Sequence, residues 1–202
     1  KLFVHDENCC TFINTLSSRS SCVAELPAAW NGYAISDADG RELPVQEHDG
    51  KWMTLVNIPE NSFCTLKRGG KKSAATEVLD GNIPENDLVR YCFDDDGKLL
   101  SVYDKELNRE FLSSPGNVLA LYNDHPVNHD AWDMEIYYPE TQVRTLVFKR
   151  VKKVAGEVFQ ALEFCSSFGK SKICQEIRLR KDSKRADFIT AVDWHEDHKL
   201  LR

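Results

Sequence analysis

No stretch of the 202 residues approaches the roughly 18 uninterrupted apolar residues of a membrane-spanning helix. Basic residues do not dominate: 26 Lys and Arg stand against 32 Asp and Glu, a formal net charge of −6. A nucleic-acid module carries the opposite electrostatic footprint, so neither nucleic acid nor membrane is expected as a partner. No cysteine pair shows the CxxC spacing of a zinc ribbon. Gly69-Gly70-Lys71-Lys72-Ser73 lacks the frame of a phosphate-binding loop, and no GxSxG nucleophile elbow occurs. The absence of an Asn-x-Ser/Thr sequon fits a cytoplasmic home. Lys1 to Glu7 has no apolar core of a signal peptide and no initiator methionine, which suggests a piece of something longer.

What is present is the composition of a globular protein: 42% hydrophobic and 29% charged residues. The seven cysteines, Cys9, Cys10, Cys22, Cys64, Cys92, Cys165 and Cys174, are odd in number. In a chain long enough to build its own core they read as buried, reduced thiols rather than a disulfide framework.

The pattern is β almost throughout. Asp39-Gly40, Asp49-Gly50, Asp80-Gly81 and Asp96-Gly97 separate apolar runs, and Asp-Gly accepts the positive φ of tight reversals. Around Asp96-Gly97, Val89, Tyr91 and Phe93 alternate on the way in, and Leu100 and Val102 on the way out. Four long period-2 runs follow: Val143 to Val154, Glu157 to Phe164, Ser171 to Arg180 and Arg185 to Trp194. Ile173, Ile177 and Leu179 share one face; Ala186, Phe188, Val192 and Trp194 share another, with Trp194 expected as a buried core residue. Lys181, Lys184 and Arg185 read as a turn of solvated charges. Helical periodicity is lacking. The apolar-poor stretch Lys67 to Ala74 reads as a linker, dividing a small β-sandwich domain, 1–74, from a larger β domain, 75–202. The final residues, Asp193 to Arg202, carry no turn or polar tail, as though that second domain continued.

The most site-like segment runs from Asn123 to Asp133, between strand candidates Val118 to Tyr122 and Met134 to Tyr138. Asp130 and Asp133 can accept hydrogen bonds from sugar hydroxyls, and Trp132 offers a face for a pyranose ring. The alternative is a packed loop whose acids hold turns. His195 and His198 are one residue short of HExxH spacing and read as the charged end of a strand, not a metal site. Asp94-Asp95-Asp96 reads as a solvated hairpin tip.

Several of these segments together resemble the β-rich C-terminal region of α-mannosidases of glycoside hydrolase family thirty-eight. They are Glu85-Asn86-Asp87-Leu88-Val89-Arg90 with Phe93-Asp94 and Gly97; Ser101 to Glu106 with Arg109-Glu110; and Gly116-Asn117. The loop with Asp130-Ala131-Trp132-Asp133 and Tyr137-Tyr138 resembles the bacterial and cytosolic-vacuolar branch. Arg185-Ala186-Asp187-Phe188 and Val192 to Leu201 form the most specific stretch, and Asn14 to Ser17 with Arg19 resembles the opening of the first β domain.

The resemblance implies an all-β chain: a small β-sandwich followed by the first part of a large antiparallel supersandwich of galactose-mutarotase type. It implies a retaining exo-α-mannosidase whose nucleophile, acid/base and zinc ligands lie in an N-terminal catalytic domain. Nothing in these residues matches that domain, so no catalytic residue and no metal ligand is assigned here. The implied partners are an α-mannoside, reached through the intact enzyme, the chain's own catalytic domain, and a second copy of the chain in a homo-oligomer. Asp130, Trp132 and Asp133 are the candidate substrate-binding residues. Two rival readings remain open: a free-standing carbohydrate-binding sandwich, and an aldose-epimerase-like sandwich with its own catalysis.

Overall fold

The computed structural model describes residues 6–73, 77–129 and 132–202. The chain divides into two compact units, residues 1–77 with 155–159 and residues 78–154 with 160–202. Among the described residues there is no α-helix, so the all-β reading holds.

The first unit contains β1 (Cys9–Asn14), β2 (Ser20–Glu25), a 3-10 turn (Ala28–Trp30), β3 (Tyr33–Ser36), β4 (Glu42–Leu43), β5 (Val45–His48), β6 (Lys51–Ile58) and β7 (Ser62–Lys71). They form two antiparallel sheets, ordered β1-β7-β3-β4 and β2-β6-β5. Both sheets feed one core, in which Ile35 and Leu66 of one meet Val45, Trp52, Val56 and Ile58 of the other around Trp30. At Asp49-Gly50 both φ values are positive, 52° and 74°. That is the geometry a two-residue hairpin between β5 and β6 demands.

The linker reading of Lys67 to Ala74 is corrected here. Lys67 to Lys71 belong to β7 and pair with β1 or β3, with Cys9 opposite Lys67 and Tyr33 opposite Lys71. Backbone ladders need no apolar side chains. The charges find other uses: Arg68 lies 4.9 Å over the Tyr33 ring and donates to the Asn8 side chain. Gly69 packs so close to Ala34 that a Cβ would stand 3.3 Å from its carbonyl oxygen.

The second unit contains β8 (Val89–Phe93), β9 (Leu99–Asp104), β10 (Arg109–Glu110), β11 (Ala120–Asn123), a 3-10 turn (Tyr138–Thr141), β12 (Gln142–Thr145), β13 (Lys149–Ala155), β14 (Phe159–Phe168), β15 (Ser171–Arg180), β16 (Ala186–Asp193) and β17 (Lys199–Leu201). Its sheets are β10-β9-β8, β12-β11-β17 and β13-β14-β15-β16. The Asp96-Gly97 reversal is a hairpin, with Asp94 Oδ1 taking the amides of Asp96 and Lys98 at 2.9 and 2.8 Å. A bulge at Cys92/Phe93 pairs Phe93 with Leu99 and leaves Leu100 as the extra residue. Leu99 therefore turns inward and Leu100 is exposed, contrary to the simple alternation.

Three further expectations change. Val143 to Val154 is two strands in different sheets, because Leu146 and Phe148 bury themselves in the crossing between them. Lys184 is not a solvated charge: its Nζ lies 2.7 Å from Asp104, whose carboxylate is almost wholly covered. Finally, the cysteines are not all reduced, since Cys165 and Cys174 form a disulfide while five thiols stay free. The two sit directly across the β14–β15 hairpin, three residues before and three after the paired ends Phe168 and Ser171. Their Cα atoms are 4.2 Å apart, the close spacing of a non-hydrogen-bonded antiparallel pair.

Trp194 is half-buried rather than fully buried. Its ring meets Phe168 edge-on at 5.6 Å, and its Nε1 donates to the Glu196 carbonyl. The Glu196 carboxylate covers the Gly169 turn, where φ is +54°, and takes the Lys170 amide at 2.7 Å. The penalty of deleting a fully buried ring does not apply at this position.

A pH dependence follows from the β9–β10 corner. Glu110 accepts from Ser101 Oγ at 2.5 Å and from the amides of Leu112 and Val102 at 2.9 Å. These bonds, the Ser101 hydroxyl foremost, lower its carboxyl from 4.5 to about 2. A depressed folded-state pKa gives stability that is present above the unfolded value and lost as pH falls through the folded one. Replacing Glu110 by Gln should lower the urea midpoint at neutral pH. The gap to the parent chain should close between about pH 4.5 and 2. A gap that stays constant over that window would contradict these bonds.

Candidate functional site

The strand β11 positions the Asn123–Asp133 segment. It is held between β12 and β17, with Leu121 opposite Leu201 and Asn123 opposite Lys199. From there the chain is tied at its base. Lys199 Nζ donates to Asn123 Oδ1 at 2.7 Å, Thr141 Oγ1 donates to the Asn123 carbonyl at 2.7 Å, and the Asp124 amide donates to the His198 carbonyl at 2.9 Å. His125 stacks on His198 with ring centres 4.9 Å apart. Tyr138 closes the other side, edge-on to Tyr122 at 5.2 Å and under the Arg202 guanidinium at 5.0 Å.

Beyond this base the segment turns outward. His129 adopts φ +54°, and its carbonyl accepts the amides of Trp132 and Asp133 at 2.8 and 3.0 Å. Trp132 is 87% exposed and Asp133 is exposed beside it. The structure therefore brings two of the three candidate residues to one exposed tip; Asp130 lies outside the described residues. Trp132 offers a free ring face and Asp133 a carboxylate acceptor, a pair suited to hold a sugar ring.

Met134 to Tyr138 is not a strand. Its apolar residues alternate, but among the described residues no strand pairs with it, and the chain bends into the turn at Tyr138. The consequence is an apolar surface that the alternation concealed: Ile136 is 91% exposed, Val127 73% and Met134 52%. Apart from the misleading alternation of Met134 and Ile136, their one signal is an apolar content unusual for a loop.

Other candidate residues fall out plainly. His195 pairs with Asp193 at 2.8 Å while His198 stacks on His125, so the two do not converge as ligands. A cleft of about 310 Å³ among Glu85, Asn86, Asp87, Lys105 and Lys181 has charge but no aromatic face. A groove of about 580 Å³ in the first unit includes Trp52, but that ring is 3% exposed and its Nε1 is spent on the Tyr33 carbonyl.

The model of the glycosyl hydrolases family 38 C-terminal domain matches residues 85–202. The chain belongs to glycosyl hydrolase family 38. It is similar to alpha-mannosidase G of Dictyostelium discoideum, 26% identical over 178 residues that cover 77% of this chain and 16% of that protein. It is also similar to human alpha-mannosidase 2C1, 30% identical over 135 residues covering 62% of this chain and 13% of that protein. The crystal structure of an alpha-mannosidase from Enterococcus faecalis V583 superposes with a TM-score of 0.65 over 96% of this chain and 30% of that one. Sequence identity there is 11%, so this likeness shows the fold. The family 38 chain spans only a small part of the length of the relatives it matches. Among the described residues no helix is long and apolar enough to cross a membrane.

Proposed function

We propose that this chain is the non-catalytic β portion of a retaining exo-α-mannosidase, that it packs on the catalytic polypeptide, and that its Trp132 tip faces the substrate as one wall of the sugar cleft. The observation that carries the reading is the contrast between base and tip. The base is tied by hydrogen bonds and ring contacts, whereas Trp132 and Ile136 are 87% and 91% exposed. A solvent-facing loop gains nothing from such an apolar crown. A junction between domains does, and sugar clefts are commonly formed at such junctions. The relatives, of which this chain spans 16% and 13%, have ample polypeptide for that role.

In this reading two carboxyl groups of the catalytic domain would break the glycosidic bond, and a zinc held there would supply binding to mannose hydroxyls. This reading assigns no residue of the chain to that zinc. Trp132 supplies a ring face and Asp133 an acceptor, both acting on binding and not on bond cleavage. The compartment we propose is the cytoplasm, a setting consistent with five free thiols, with the Cys165–Cys174 bond as the exception.

Two measurements test the proposal. The 202-residue chain alone should leave an aryl α-mannoside intact; turnover by it would overturn the assignment of chemistry to other polypeptide. In the full-length enzyme, Trp132→Ala should weaken substrate binding by about tenfold, on the order of 1–1.5 kcal/mol for a lost ring contact, with the melting temperature unchanged. A fall in stability without a change in KM would make Trp132 a packing residue. Direct mannose binding by the isolated chain would favour a free-standing carbohydrate-binding module instead.

A further inference from the structure

On the β14–β15 hairpin, Glu163 precedes Cys165 by two residues, so both point to the same face of the sheet. Cys174 faces Cys165 from the neighbouring strand. One carboxylate oxygen and the two sulfurs lie within 4.8 Å of one another, and all three residues are half-buried. Opposite Cys174 on β16 stands the small side chain of Ala191. Beside them is a recess of about 270 Å³, lined by Lys172, Cys174, Ala191, Val192 and Asp193.

The disulfide adds little as a staple. It closes a separation of only nine residues, within a hairpin already fixed by its turn and ladder, and so restricts the unfolded chain least. Two thiolates and a carboxylate on one rigid face are, by contrast, a donor set that borderline-soft divalent ions favour.

We propose that the reduced hairpin is a metal site, in which Glu163, Cys165 and Cys174 bind one Zn²⁺-like ion with solvent completing the tetrahedron, and that oxidation to the disulfide releases it. The exchange needs only a small-molecule disulfide such as oxidised glutathione. The Cys165 thiolate attacks one sulfur of the oxidant, forming a mixed disulfide and expelling one glutathione thiolate. The Cys174 thiolate then attacks the Cys165 sulfur, closes the protein disulfide and expels the second. Two electrons pass from the protein to glutathione. The ion, left with a single carboxylate, departs. A dithiol reductant reverses the sequence.

The test uses the whole chain, reduced or oxidised and freed of reagent, titrated with Cd²⁺ and Zn²⁺. The reduced form should bind one equivalent more than the oxidised form, with the thiolate-to-cadmium charge-transfer absorption. Cys165→Ser/Cys174→Ser should lose that equivalent, and Glu163→Gln should keep the absorption but bind about tenfold more weakly or worse, a loss that even outer-shell partners of a metal cause. Since the double variant could fail to fold, the parent chain supplies a second readout: Zn²⁺ should shield Cys165 and Cys174, but not the five other thiols, from alkylation in peptide mapping. Equal stoichiometry in both redox states, or equal alkylation with and without Zn²⁺, would overturn the site.

Discussion

Replacing Trp30 by Ala should lower the melting temperature of the chain by about 6–20 °C. Trp30 is 1% exposed, among the most completely covered large side chains of the molecule. It ends the short 3-10 turn after Pro27, which drops its ring between the two sheets of the first unit against Trp52, Val45 and Leu66. Its Nε1 donates to the Glu7 carbonyl at 2.9 Å. Deleting a buried Trp side chain costs about 3–5 kcal/mol, the sum of lost transfer energy and an unfilled cavity. At about 2–4 °C per kcal/mol for a chain of this size, the shift falls between about 6 and 20 °C. Trp30→Phe keeps most of the apolar ring but forfeits the hydrogen bond and some of the filled volume, so it should cost less than Trp30→Ala, about 1–2 kcal/mol. If Trp30→Ala melts with the parent chain, the ring is not the keystone of that core.

The parts of the fold that could be read from the sequence are those where one local signal decides. Asp49-Gly50 and Asp96-Gly97 demanded reversals and received them, since few other dipeptides accept such φ values so readily. Ser171 to Arg180 alternates without a break, and its inward residues Ile173, Ile177 and Leu179 are at most 1% exposed. Failures came where pairing, not propensity, settles the outcome. The bulge at Cys92/Phe93 moves Leu99 inward in place of Leu100, and no residue type announces it. Met134 to Tyr138 has strand-like alternation but no strand beside it. Lys67 to Lys71 looks like a linker by composition yet completes β7, because its neighbours in space, β1 and β3, are far off in sequence.

The candidate site divides the same way. Trp132 and Asp133 could be named because an aromatic and an acid in a loop have a recognisable chemistry. The exposed apolar crown around them could not, because it depends on Met134 to Ile136 failing to pair. The disulfide was legible in principle. A two-residue turn at Gly169-Lys170 sets Cys165 opposite Cys174, a register that the number and spacing of cysteines alone do not carry.

Asn86→Ala should destabilise the second unit by about 3 kcal/mol, or about 6–12 °C in melting temperature. Asn86 is 8% exposed and its side chain uses both of its donors and both of its acceptors. Nδ2 donates to the carbonyls of Arg180 and Ser183, each at 2.7 Å, while Oδ1 accepts the amides of Leu88 and Val89 at 2.8 and 2.9 Å. One amide thus joins the entry to β8 with the end of β15 and the turn before β16. Truncation strips four backbone groups of partners at once, and it is this loss, not the loss of volume, that sets the cost. Asn86→Asp gives the discriminating result. It is nearly isosteric and keeps the two acceptors, but it turns a carboxylate toward two carbonyl oxygens and supplies no donor. It should therefore be at least as damaging as Ala at neutral pH. It should recover in part in acid, where protonation restores one donor. If Asn86→Asp matches the parent chain at neutral pH, Asn86 fills space and does not tie these segments together.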